Sequence, residues 1–178
     1  MGIKHFIQNR QLASVKLFEQ GGRWRPGENS LRMVGLIVCV NSDADLSLLQ
    51  KVRTFFMEKG AVCRVCIYQK SKKMVIPEAW MHEDVLWLNQ KSANWLGLLR
   101  SGCAEAFLAD PFDLLINLSE GFFFTTTYLA SIANATLKVG RYVCRFSPYR
   151  IVLDGGQSLD DDAFIRLLDS TLQIIKFK

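Results

Sequence analysis

Residues 111–145 constrain the fold of this chain more than any other stretch, because PFDLLINLSEGFFFTTTYLASIANATLKVGRYVCR reads as a strand, a helix and a returning strand. Residues 112–118 form a short apolar run between Pro111 and Ser119-Glu120-Gly121, the pattern of a strand buried on both faces. Tyr128, Leu129, Ile132, Ala133 and Leu137 recur at spacings of three and four, which predicts a helix. Lys138 and Gly140 then stand where a C-terminal cation and a helix-ending glycine belong, and residues 142–146 supply the second strand. Parallel strands joined in this way require a right-handed crossover and helices on the sheet faces. The expected architecture is a three-layer α/β/α sandwich with a mostly parallel, Rossmann-like sheet.

The rest of the chain supplies further units of the same kind. MVGLIVCV, residues 33–40, is an unbroken apolar run suited to a central parallel strand. Ser42, with Asp45 three residues on, resembles a capping box, and Leu46, Leu49, Val52 and Phe56 continue at helical spacing to Gly60. Residues 61–68 read as the second strand, 85–88 as a short strand and 150–153 as another. Leu96 to Leu99 and Cys103 to Leu108 look like turns of helix. Asp154-Gly155-Gly156 reads as a turn, and Asp160-Asp161-Asp162 opens a final helix whose apolar face is Phe164, Leu167, Leu168, Leu172 and Ile175. Acids at its start and Lys176 and Lys178 at its end suit the helix dipole.

A division follows between residues 1–30, a basic amphipathic helix and linker, and residues 31–178, a single α/β domain. Ile3, Phe6 and Ile7, then Val15, Leu17 and Phe18, form the apolar side of that helix, with Lys4, Gln8, Arg10 and Gln11 opposite. Residues 1–25 hold five Lys or Arg against one Glu, so most of the net charge of +5 lies in this arm. A nucleic-acid groove across the domain is therefore not expected. The arm either packs on the sheet or, with Arg23-Trp24-Arg25, rests on a protein partner or an anionic membrane surface. No apolar run approaches the ~18–20 residues that span a bilayer, and no secretory signal pattern opens the chain. A cytoplasmic protein is expected, membrane-peripheral if the arm serves as an anchor. Five cysteines in a chain with a sizeable core suggest reduced thiols.

Each candidate for chemistry has a plainer reading beside it. Cys63-Arg64-Val65-Cys66 has the spacing of a redox pair or half a zinc site, but in a strand residues three apart point to opposite faces. Cys39, Cys63 and Cys144 all read as small hydrophobes inside strands. His82, next to Glu83 and Asp84, reads as an exposed turn, and His5 as part of the basic arm. The turn after Val40 lacks the glycine that a pyrophosphate needs and carries acids instead. Ligands in open parallel sheets nevertheless settle beyond the carboxyl ends of the strands, which singles out Asn41, Ser42, Asp43, Asn117, Ser119 and Glu120. Asn, Ser and Asp there are also good turn and cap residues. Phe122, Phe123 and Phe124 cannot all share one helical face, so they read as a lid, a partner contact or a membrane wedge, or as core for two of the three.

FDLLINL, a helix ending SIANATLKVGRY and a terminal helix near DDDAFIRLLD together resemble an uncharacterised family of small bacterial α/β proteins. They also look distantly like the N-terminal Rossmann-like half of heptosyltransferase-type glycosyltransferases, where a strand carrying Asp precedes a helix and a Lys/Arg-Val-Gly turn. The resemblance implies the fold and a bacterial cytoplasmic setting. Such a transferase needs a second, nucleotide-binding domain for which 178 residues leave no room, and Asn117 stands where an acidic residue is expected. The reading is a binding or interaction module of unknown function, with no catalytic residue, metal or cofactor assigned. The alternative is a nucleotide or sugar-nucleotide binding domain at the Asn41 and Asn117 strand ends.

Overall fold

The run MVGLIVCV forms β1 (Met33–Val40), buried from Val34 onward in a computed structural model that describes residues 2–16, 31–70, 77–153 and 159–175. It pairs in parallel with β2 (Val62–Gln69) on one side and β4 (Phe112–Asn117) on the other. With β3 (Val85–Asn89), β5 (Ala135–Gly140) and the two-residue β6 (Ile151–Val152), these make a six-stranded, all-parallel sheet in the order β3-β2-β1-β4-β5-β6. This is the doubly wound order, which reverses between β1 and β4.

The two faces are covered separately. Leu46, Leu49, Val52 and Phe56 of α2 (Asp43–Glu58) and Phe164, Leu168 and Leu172 of α5 (Asp161–Ile174) pack on one face, against Val34, Leu36, Val38, Val65, Leu114 and Ile116. Phe107 of α3 (Glu105–Leu108) and Leu129 and Ala130 of α4 (Phe124–Ile132) cover the other, against Ile37, Cys66 and Leu115. α1 (Ile3–Lys16) lies outside this layer, packed on α4. Alternation along each strand assigns side chains to the two cores. Gly35 is the exception on β1, since a Cβ there would stand 2.5 Å from Leu115 Cδ1 and 3.0 Å from Phe112 Cδ1.

Caps match the sequence at two helices. Asp45 Oδ2 accepts from the Ser42 and Asn41 amides at 2.9 and 2.8 Å, holding the start of α2. Asp160 Oδ1 accepts from the Ala163 amide at 2.6 Å and caps α5, whose buried face is that of the periodicity.

The structure corrects four expectations. α4 spans Phe124–Ile132 and stops where Ala133 turns extended, so Leu137, Lys138 and Gly140 belong to the returning strand β5. Residues 142–146 are therefore loop rather than strand, and Cys144 is a half-buried loop residue. Leu96 to Leu99 is not helical: Gly97 takes φ +88° and Leu99 forms a bridge with Ala93, while helix in the next segment is confined to α3. α1 turns inward through Gln8 and Leu12, leaving Ile3 79% and Phe6 66% exposed, opposite to the face that apolar spacing suggested. Packing on α4, with Leu96 O of the 93–97 loop as a backbone acceptor for Gln8, outweighs hydropathy there. The expected arm continuation at Leu17 and Phe18, the linker with Trp24, the Asp154-Gly155-Gly156 turn and Lys176 and Lys178 fall outside the described residues.

Candidate functional site

Beyond the carboxyl ends of β1 and β4, the chain parts to opposite faces of the sheet, and three of the polar residues there are drawn into the framework. Asn117 is 4% exposed; its Nδ2 donates to the Tyr149 hydroxyl at 2.6 Å and its Oδ1 accepts from the Ser119 amide at 3.1 Å. Ser119, 2% exposed, accepts at Oγ from the Cys39 amide at 2.9 Å, extending the β1–β4 pairing past the end of β4. Glu120 is exposed and pairs with Arg141 at 3.4 Å. Asn41, Ser42 and Asp43 are exposed in the turn and first residue of α2.

A larger concavity of about 600 Å³ opens on the same carboxyl edge, over β2 and β3. Lys4, His5 and Gln8 of α1 form one wall, and Tyr68, Lys70 and Gln90 come from the ends of β2 and β3. Ala93, Asn94, Trp95 and Gly97 come from the following loop, and Phe122, Phe123, Phe124 and Thr125 from the start of α4. None of the six strand-end residues lines it.

The sequence builds these walls by local rules. Gln8 Nε2 donates to Leu96 O at 2.6 Å and fastens α1 to the loop, while Asn94 Oδ1 accepts from the Leu96 and Leu98 amides to shape it. Gln90 Nε2 donates to Lys70 O at 2.8 Å and ties the ends of β2 and β3 together. Phe124 is buried, whereas Phe122 and Phe123 are half-buried. Phe122 meets His5 edge-on, and Lys70 Nζ lies 5.3 Å from the Phe123 ring centroid. The aromatic triplet was singled out in the sequence, but Gln8, Lys70, Trp95 and Thr125 were not linked to it. Their only shared signal is position: each sits at an element end or turn that the crossover topology carries to the carboxyl edge.

Charge in the cleft has one sign. Lys4, Lys70 and His5 line it, and no carboxylate does so among the described residues. α4 begins here with no acidic residue in its first turn and with Phe123 at the N-cap, which has no hydrogen-bonding side chain.

The cysteines are placed elsewhere. Cys63 faces the α2/α5 core and Cys66 the α3/α4 core. Burial pushes the Cys39 thiol up to about 12 and the Cys63 thiol up to about 11, and raises Cys66 further. None of the five cysteines is joined in a disulfide. Asp84 pairs with Arg53 at 2.5 Å, so the His82-Glu83-Asp84 segment carries a structural ion pair. Among the described residues no group of three or more His, Cys, Asp or Glu is disposed to hold a metal ion. No described helix is long and apolar enough to cross a membrane.

A family model matches residues 4–175, so it takes in α1 together with the sheet domain. The chain belongs to DUF6913, a family of unknown function. No curated protein and no solved structure matches this DUF6913 chain, and the glycosyltransferase likeness gains no support from the comparisons. In this DUF6913 fold the cleft brings two lysines, aromatic rings and the uncapped start of α4 together at the carboxyl edge.

Proposed function

We propose that this protein is a non-catalytic binding module that holds a small anionic molecule in the cleft between α1, the ends of β2 and β3, and the start of α4. The observation that carries this reading is the one-sided charge: two lysines and an imidazole around about 600 Å³, with no carboxylate among the described lining residues. A cleft of that size suits a small metabolite, and cations beside aromatic walls favour an anion that also has an apolar or planar part. The polar set offers donors for holding a ligand but no carboxylate or thiol beside them to serve as nucleophile or base.

On this reading Asn41, Ser42, Asp43, Asn117, Ser119 and Glu120 frame the switch point and orient the neighbouring loops, and the nucleotide alternative moves from the strand ends to the cleft. Five cysteines outside any disulfide favour a cytoplasmic setting. The outward Ile3 and Phe6, beside Lys4 and Arg10, support a second reading in which α1 rests on an anionic membrane surface.

The test is a thermal-shift panel of anionic metabolites and their neutral counterparts, run on the wild type and on the Lys4→Gln/Lys70→Gln double variant. Both lysines are exposed, so the variant should fold. At about 100 times Kd an anion adds about 2.7 kcal/mol, which for this chain length raises Tm by about 5–10 °C. The variant should lose most of that rise. Silence of the wild type across the panel sinks the reading.

A further inference from the structure

We infer that the cleft seats a phosphoryl group on the N-terminus of α4, with a planar ring of the same ligand against the aromatic wall, as in a nucleoside monophosphate. This rests on the anionic-ligand reading above and narrows it.

Three consecutive threonines open α4, and their hydroxyls have different fates. Thr126 Oγ1 donates to Phe123 O at 3.1 Å, and the Thr127 side chain meets the Tyr149 hydroxyl. Thr125 is 6% exposed, lines the cleft and has no hydrogen-bond partner among the described residues. The side chain is more than nine-tenths buried while its hydroxyl opens on the cleft, so a ligand oxygen seated there can accept its proton. Beside it, the first amides of α4 lack both a side-chain cap and an acidic neighbour. α2 and α5, by contrast, carry Asp43 and Asp45, and Asp161 and Asp162, in their first turns.

Backbone donors at a helix N-terminus, a hydroxyl facing the cleft and a nearby ammonium are what a phosphoryl group needs, because its three oxygens accept several charge-assisted bonds at once. Lys70 supplies the ammonium, held over the ring of the N-cap residue Phe123. Gly97 lets the facing loop pass close to this point: a Cβ there would stand 3.1 Å from Thr125 Oγ1. Phosphate alone would fill a small part of about 600 Å³. Trp95, 68% exposed, lines the remainder with no ring partner among the described residues, and an unpaired indole in a cleft is a stacking platform for a planar ring.

Isothermal titration of the full chain with AMP, inorganic phosphate, adenosine and malonate tests the assignment. AMP should bind at least about tenfold more tightly than phosphate, adenosine or malonate. Thr125→Val should weaken AMP and phosphate by about 10–100-fold while sparing malonate, and Thr125→Ser should keep both near wild type. Trp95→Ala should weaken AMP by about tenfold and leave phosphate unchanged. Equal affinity for AMP and malonate, with Thr125→Val silent, would overturn the phosphoryl assignment and leave the anionic reading standing. Failure of every anion to bind would overturn both.

Discussion

Asn117, the last residue of β4, donates from Nδ2 to the Tyr149 hydroxyl at 2.6 Å, joining the centre of the sheet to a loop residue thirty-two positions later. The Tyr149 ring occupies the space that a side chain on Gly140 would need, since a Cβ there would overlap the ring. Tyr149→Phe removes the acceptor and leaves a buried amide donor unpaired, so it should cost about 1–3 kcal/mol in urea unfolding at constant m-value. Gly140→Ala forces the ring out of place and should cost at least as much through overpacking. If Tyr149→Phe matches the wild type in urea, the hydrogen bond is not a structural tie.

Those two residues also show what the sequence concealed. Asn117 was legible as a strand-end residue, but nothing within its neighbourhood indicated a tyrosine partner, because the contact is made only after β5 has returned and the 141–150 loop has folded back. The same blindness explains the crossover boundary. Lys138 occupies a helix-ending position by spacing, yet it is a buried strand residue whose Nζ donates to Ser131 O at 2.9 Å, in the last turn of α4. A cation does serve the helix C-terminus, reaching it from the adjacent strand. Central strands, α2 and α5 were legible because long apolar runs, caps and regular spacing agree with their burial. The cleft was not, because its walls come from four separated stretches of chain and Thr125, which lines it, is one of three identical neighbours.

Stability should fall at alkaline pH through the buried thiols and Tyr149. Burial holds Cys39, Cys63 and Cys66 above their ordinary 9.0, and Tyr149 above 10.0, so the folded state keeps protons that the unfolded chain releases. The stabilisation is complete below about pH 9 and is lost as pH rises toward the folded values. Each fully engaged group steepens the loss by about 1.4 kcal/mol per pH unit. Urea midpoints between pH 7.5 and 10.5 should be level at first and then drop, less steeply in Cys66→Val. A level profile throughout would contradict the burial of these groups.

Cys63 and Cys66 should behave as core rather than as a redox pair. They lie on opposite faces of the sheet, in separate cores, and burial suppresses the thiolate that reacts with disulfides or metals. With a chromogenic disulfide reagent, the native protein should show at most two fast thiols, those of half-buried Cys103 and Cys144, with the other three appearing only on unfolding. A Cys63–Cys66 disulfide formed under mild oxidant without loss of fold would refute this placement.

α1 offers the sharpest contrast between hydropathy and structure. Gln8, a polar residue, is 8% exposed and donates at 2.6 Å to Leu96 O, whereas Ile3 and Phe6 face outward. Gln8→Ala should therefore lower stability by about 1–2 kcal/mol. It should also weaken any cleft ligand, because Lys4 and His5 lose their anchor on the 93–97 loop. Ile3→Ser with Phe6→Ser should change stability by less than about 0.5 kcal/mol. Sedimentation with phosphatidylserine vesicles then separates the roles of the helix. Vesicle binding by the wild type, lost in the Ile3/Phe6 variant and kept in Gln8→Ala, assigns the outer face to a membrane. Absence of binding in all three leaves α1 as a wall of the cleft, and a large stability loss in the Ile3/Phe6 variant would show that its apolar residues are packed after all.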